Sequence, residues 1–168
     1  MKRVSQLGCA ALLVAAAGCG GTQAPPYQIH ASVHEIMAGA VEPPAEVIWD
    51  SVATIVDAEG IHEHFPQNDE EWEYVEHNAV GLAEVANLLL LPGRAMDEGE
   101  APADPDPTTE ETWIGYVDDL RRTSLQARDL AKAQDIEGIL EVGEVIYNSC
   151  TGCHRAYIID EEQPLPPS

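Results

Sequence analysis

Apolar residues recur at three- and four-residue spacing along most of this chain, the pattern of helices that each bury one stripe. Val33, Met37 and Ala40 or Val41 share a face, and Val47 or Ile48, Val52 and Ile55 resume it after Pro43-Pro44. This predicts a first helical region over residues 29–57, broken or kinked at the prolines, which cannot continue the hydrogen-bond ladder. Trp72, Val75, Ala79, Leu82, Ala86 and Leu89 predict a second helix, which Pro92-Gly93 ends. It begins at Asn68 or Asp69, where Asn68 and Glu71 have the spacing of a capping box. Residues 97–107 are acidic, proline-rich and poor in apolar positions, hence a loop. A third helix follows, capped by Thr108 or Thr109 and running to residue 133, with Trp113, Val117, Leu120, Ser124, Ala127 and Ala131 inward. After a turn near Asp135, Ile139, Val142, Ile146, Cys150, Cys153 and Tyr157 form the stripe of a fourth. No sustained alternation of apolar and polar residues marks a strand. The expected fold class is all-α: an antiparallel four-helix bundle of helices about 20 residues and about 30 Å long.

The N-terminus departs from this pattern. Met1-Lys2-Arg3 is basic, and residues 7–18 are apolar and rich in Ala and Leu, too few to span a bilayer. They read as a secretory signal. Ala16-Ala17-Gly18-Cys19 has the form of a lipobox, with Ala where Leu is more usual, and cleavage there leaves Cys19 as a lipidated first residue. The expected organisation is a signal at 1–18, a tether at 19–28 rich in Gly and Pro, a helical domain at 29–160 and a tail at 161–168. The protein is thus expected outside the cytoplasm, lipid-anchored to a bacterial cell membrane and facing the periplasm.

Charge narrows the partners. The chain has a formal net charge of −22, and loss of Lys2 and Arg3 leaves 30 acidic against six basic residues, or −24. Such a surface repels nucleic acid and anionic lipid and favours proteins with basic surfaces. It also simply keeps a tethered protein soluble.

The chemistry lies near the C-terminus, in Cys150-Thr151-Gly152-Cys153-His154. With Cys9 removed in the signal and Cys19 lipidated, Cys150 and Cys153 are the remaining thiols. On a helix Cys150, Cys153 and His154 stand at i, i+3 and i+4, on one face. Two thiols at this spacing can add to the two vinyl groups of a haem, and the adjacent imidazole can bind its iron. The cofactor expected is one covalent haem c near the end of the last helix. A redox dithiol would belong near a βαβ pattern, which is not found. A structural zinc site would need a fourth ligand besides Cys150, Cys153 and His154; His62 and His64 fall in an expected loop.

A four-helix chain with this motif at the end of its last helix resembles the class II cytochromes c, which include cytochrome c′. Cys150 to His154 followed by Arg155-Ala156-Tyr157 is similar to that family's ending, with its aromatic three residues after the histidine. Met37-Ala38-Gly39-Ala40-Val41-Glu42-Pro43, followed by Val47-Ile48-Trp49, resembles a lipoprotein-like exported branch of the same fold. The resemblance implies His154 as the proximal iron ligand, Tyr157 packed at the haem edge or helix end, and in many members a homodimer. In low-spin members a methionine of the first helix is the distal ligand, and Met37 falls at that place.

The distal position has alternatives. Met37 could be a core filler. His34 and His30 are potential ligands on the same helix, placed toward solvent by the directions of Val33 and Met37; His77 lies off the apolar stripe of its helix. With no sixth ligand, as in cytochrome c′ itself, the iron would bind NO or CO. Many gas-binding members carry a basic residue directly after the aromatic, whereas Ile158 follows Tyr157 here. Arg155 is a candidate partner of a haem propionate, and Arg121, Arg122 and Arg128 are further ones. Trp49, Trp72 and Trp113 are expected in the core. No acid–base pair or nucleophile arrangement indicates an enzyme. The function expected is single-electron transport between redox proteins, with gas binding or sensing as the alternative.

Overall fold

The computed structural model describes residues 27–157. The signal, Cys19, most of the tether and the tail lie outside that range. The described chain is mostly helical, with one two-stranded sheet.

Helix α1, Val33–Ile36, starts at a full capping box. The Glu35 N–H donates to Ser32 Oγ (3.1 Å) and the Ser32 N–H donates to Glu35 Oε2 (2.8 Å). Met37–Val41 then forms a π-helical turn, in which the Glu42 N–H donates to the Met37 carbonyl, and α2, Glu42–Ser51, carries on from it. The prolines therefore do not break the rod. Pro43 and Pro44 sit in the first turn of α2, where a missing N–H costs little, and the widened turn before them takes up the misfit.

The expected continuation of this helix to residue 57 is not found. Val52 leaves the helix in an extended conformation, and an antiparallel hairpin follows. Strand β1, Ala53–Asp57, pairs with β2, Gly60–His64, with Val56 opposite Ile61 and Ala53 opposite His64. The expectation of no strand, and of His62 and His64 in a loop, is thus corrected. So is Ile55 as a core residue: it is exposed, like Val56 and Ile61, the latter two at 73%. The hairpin projects from the helices without a buried face of its own, which removes the alternation by which strands are recognised.

Helix α3, Asp69–Ala86, begins where Asn68 Oδ1 accepts the Glu71 N–H (3.0 Å). Glu71 reaches back to the Gln67 N–H (2.6 Å) instead of the Asn68 N–H. The helix ends in a 3₁₀ turn, Asn87–Leu90. Helix α4, Glu111–Ala133, has Glu110 at its N-cap with no side-chain bond; the threonines expected to cap it lie in a preceding 3₁₀ turn, Pro107–Thr109, which Asp106 caps. Gln134, left-handed at φ 54°, closes α4, and the Asp135 carboxylate accepts the Gly138 N–H (3.0 Å) in the first turn of α5, Ile136–Tyr157.

The core is one cluster in which α3 packs on α4, α4 on α5 and α2 on both α3 and α5. All six expected stripe residues of α3 and all six of α4 are buried. Of the tryptophans, Trp72 and Trp113 are buried and Trp49 is half-buried. Trp49 donates from Nε1 to the Gly143 carbonyl (2.9 Å), and a Cβ at Gly143 would stand 3.3 Å from its ring. Glycine thus lets the two helices close at that point. Ile146 is fully buried, so Ile146→Ala should cost about 2–5 kcal/mol. Val56→Ser and Ile61→Ser should each stay within about 0.5 kcal/mol of the parent in urea unfolding.

Candidate functional site

The buried stripe of α5 ends at Ile146, and the helix goes on for three more turns beside a cavity of about 570 Å³. Cys150, Cys153, His154 and Tyr157 all border it, so helical spacing brings the two thiols and the imidazole to one face. Facing them are Val33, His34, Met37 and Val41 of the first rod, Leu89 after α3, Met96 and Asp97 of the following loop, and Trp113, Tyr116, Val117 and Leu120 of α4. Met37 opens the π-helical turn and is half-buried against the core.

Two sets of contacts hold the walls. The loop is bonded to the start of α1, with the Val33 N–H on the Ala95 carbonyl (2.9 Å) and the His34 N–H on the Met96 carbonyl (3.0 Å). These satisfy helix N–H groups that have no partner within the helix. On the other side, Trp113 donates from Nε1 to the Leu89 carbonyl (2.8 Å) and meets Tyr157 edge-on at 5.0 Å between ring centres. Tyr157 donates its hydroxyl to Glu110 Oε2 (2.9 Å), tying the end of α5 to the start of α4. Burial, with that bond to a carboxylate, pushes the Tyr157 phenol up to about 12.

Cys150 and Cys153 are free thiols, not a disulfide. Burial raises both, Cys153 to about 11 with Cys150 beside it adding to the effect, so both are protonated at neutral pH. Among the described residues no three His, Cys, Asp or Glu side chains gather as a metal-holding group. The donors match a haem c better than a bare cation. Two thiols and an imidazole lie on one wall and a thioether on another, around a mostly apolar space of the size cofactors occupy.

The remaining candidates lie elsewhere. Arg155 is exposed and does not border the cavity. Arg121 pairs with Asp118, Arg122 with Asp119 (2.8 Å) and Arg128 with Asp129 (2.7 Å) on the outer face of α4. His30 and His77 are exposed. His34 borders the cavity with its ring held outward by Asp97 (Nδ1 to Oδ1, 2.9 Å). Sequence reasoning missed Met96 and Tyr116 as wall residues. Met96 follows no helical stripe, and Tyr116 is one position from the stripe residue Val117.

Compared with known proteins, the chain matches no family model, no curated protein and no solved structure.

Gly152 belongs to the site for a steric reason. A Cβ there would lie 3.1 Å from Tyr116 Cε1 and 3.4 Å from its hydroxyl. Gly152→Ala should therefore gain less than the roughly 1 kcal/mol that Ala ordinarily contributes over Gly in a helix, and Tyr116→Leu in the same chain should restore that gain. Unfolding of the two single variants and the double variant measures that coupling. In protein whose thiols are unmodified, alkylation of Cys153 should be slow at pH 7 and rise with a midpoint near pH 11, followed by mass spectrometry.

Proposed function

We propose that this protein is an exported, membrane-tethered c-type cytochrome: an antiparallel four-helix bundle of the class II kind that carries single electrons through one haem c. The observation that carries this reading is that Cys150, Cys153 and His154 border the same apolar cavity as Met37. When bound, the haem supplies a one-electron couple between ferric and ferrous iron. Cys150 and Cys153 would hold the macrocycle through thioethers, and His154 and Met37 would bind its iron.

The surroundings suit that task. Leu89, Trp113, Val117 and Leu120 give the cavity an apolar wall, and a low-dielectric wall with a thioether ligand favours the ferrous state. Trp113, Tyr157 and Glu110 fix the end of α5, which limits movement of His154 between oxidation states. Attachment to the membrane is through the lipid at Cys19; among the described residues no helix is long and apolar enough to cross a membrane. The acidic surface favours redox partners with basic faces. The protein is a carrier and not an enzyme.

A second reading has one observation in its favour. Met37 packs against the core cluster, as a filler residue would. The haem would then be five-coordinate and bind NO or CO.

Absorption spectra of the protein matured with a haem-attachment system, oxidised and reduced, with and without CO, separate the two. The carrier should be low-spin and unreactive to CO, with a long-wavelength sulfur-to-ferric-iron band that Met37→Ala removes. A high-spin parent that binds CO when reduced would contradict Met37 ligation and establish the gas-binding reading.

A further inference from the structure

Beside the cavity, α2 and α5 leave a row of apolar side chains in water. Leu140 and Tyr147 of α5 are 54% and 58% exposed and stand one turn before and one turn after Gly143, the residue on which Trp49 of α2 rests. Trp49 meets Tyr147 edge-on, with ring centres 6.2 Å apart. Ile136, also exposed, continues the row one turn before Leu140. A single exposed leucine is ordinary, whereas a contiguous row beside a tryptophan marks a surface that another molecule covers.

The charges around this row are of one sign. Glu42 and Glu46 share the Trp49 face of α2, and Glu137 and Glu144 each stand one turn from Leu140 on α5. All four are exposed, and none pairs with a cation among the described residues. Neither α2 nor α5 as far as Tyr147 carries a Lys, Arg or His. An apolar centre inside an unpaired acidic rim is complementary to an apolar patch ringed by cations. A second copy of this chain would instead set the acidic rim against itself.

The position of the row bears on function. Trp49 borders the cavity, as do Glu42 and Cys150, so at this point one side chain stands between the exposed face and the space assigned to the haem. Electron tunnelling falls steeply with distance, which favours docking where the intervening protein is thinnest. Of the exposed apolar residues on the hairpin, Ile55, Val56 and Ile61, none borders the cavity.

We propose that the face formed by Trp49, Leu140 and Tyr147, rimmed by Glu42, Glu46, Glu137 and Glu144, is the docking surface for a redox partner protein that presents an apolar patch ringed by Lys or Arg. This rests on the haem reading above and gives a definite place to basic partners that net charge alone could not locate. The rim speeds and orients the encounter, and the apolar centre sets how long the pair stays together.

The probe is a lysine-rich cytochrome c of net positive charge, mixed in stopped flow with the haem-loaded protein in the downhill direction at low and high salt. Leu140→Ser with Tyr147→Ser, and Glu46→Gln with Glu144→Gln, are compared with exposed controls on α3: Tyr74→Ser, and Glu70→Gln with Glu84→Gln. Helicity and reduction potential should match the parent throughout, so that a change in rate reads the encounter. Each patch pair should lower the second-order rate constant about tenfold at low salt, while the controls stay near the parent. The Glu46→Gln, Glu144→Gln pair should also flatten the dependence on ionic strength. Parent rates in the patch variants, or equal losses in patch and control variants, would overturn the docking face and leave only diffuse attraction. Sedimentation of the parent as a dimer that Leu140→Ser with Tyr147→Ser dissociates would assign the face to a second copy instead. If a patch pair loses helicity, Glu144→Gln alone decides by its rate and salt dependence. A parent without covalent haem sinks the cytochrome reading and this role with it, an outcome seen by mass before any rate is read.

Discussion

One gap in the helix packing governs the rest of the structure. The apolar stripe of α5 is sealed at Ile139, Val142 and Ile146, but from Cys150 onward the facing elements stand away and enclose a cavity of about 570 Å³. Apolar walls around so large a space are unfavourable in contact with water and forgo packing among themselves. A fold that only had to bury its stripes would close there. Instead directed hydrogen bonds fix Trp113 to Leu89 and the first rod to the loop that follows Leu89, and the chain places two thiols, an imidazole and two thioethers around the opening. The walls and the donors together are what support the haem reading proposed above.

The supports of that cavity are polar and join segments far apart in the chain. Backbone carbonyls of Ala95 and Met96 take the unpaired N–H groups of α1, Arg94 bridges carbonyls on two elements, and Glu110 receives the Tyr157 hydroxyl. These bonds join the loop before α4 to α1, α3 and α5, so it is part of the site and not a passive connection. The π-helical turn at Met37–Val41 has a similar double role. It admits Pro43 and Pro44 without breaking the rod, and its first residue is the thioether at the cavity wall.

Much of this was legible in the residues. Trp72, Val75, Ala79, Leu82, Ala86 and Leu89, and the stripe from Trp113 to Ala131, are buried as their spacing predicts, because long amphipathic helices repeat the same signal many times. The hairpin was not legible. Ile55 continues the helical spacing of Val52 by coincidence, and β2 is exposed at every residue, so neither strand alternates. The capping box at Ser32 and Glu35 has its spacing in plain view but lies inside a stretch already read as helix. Of the site, Cys150, Cys153, His154 and Met37 carried their own signals. Met96 and Tyr116 did not, because contacts across the fold, and not any local pattern, bring them to the cavity.

Covalent haem on the last turns of α5 is the claim on which the account stands. Intact mass spectrometry under denaturing conditions, on protein exported alongside a haem-attachment system, tests it most directly. The account predicts one haem added per chain, localised to the peptide that carries Cys150 and Cys153 and absent from the Cys150→Ala, Cys153→Ala variant. A folded, exported chain of unmodified mass at that peptide, with both thiols still open to alkylation after unfolding, would contradict it.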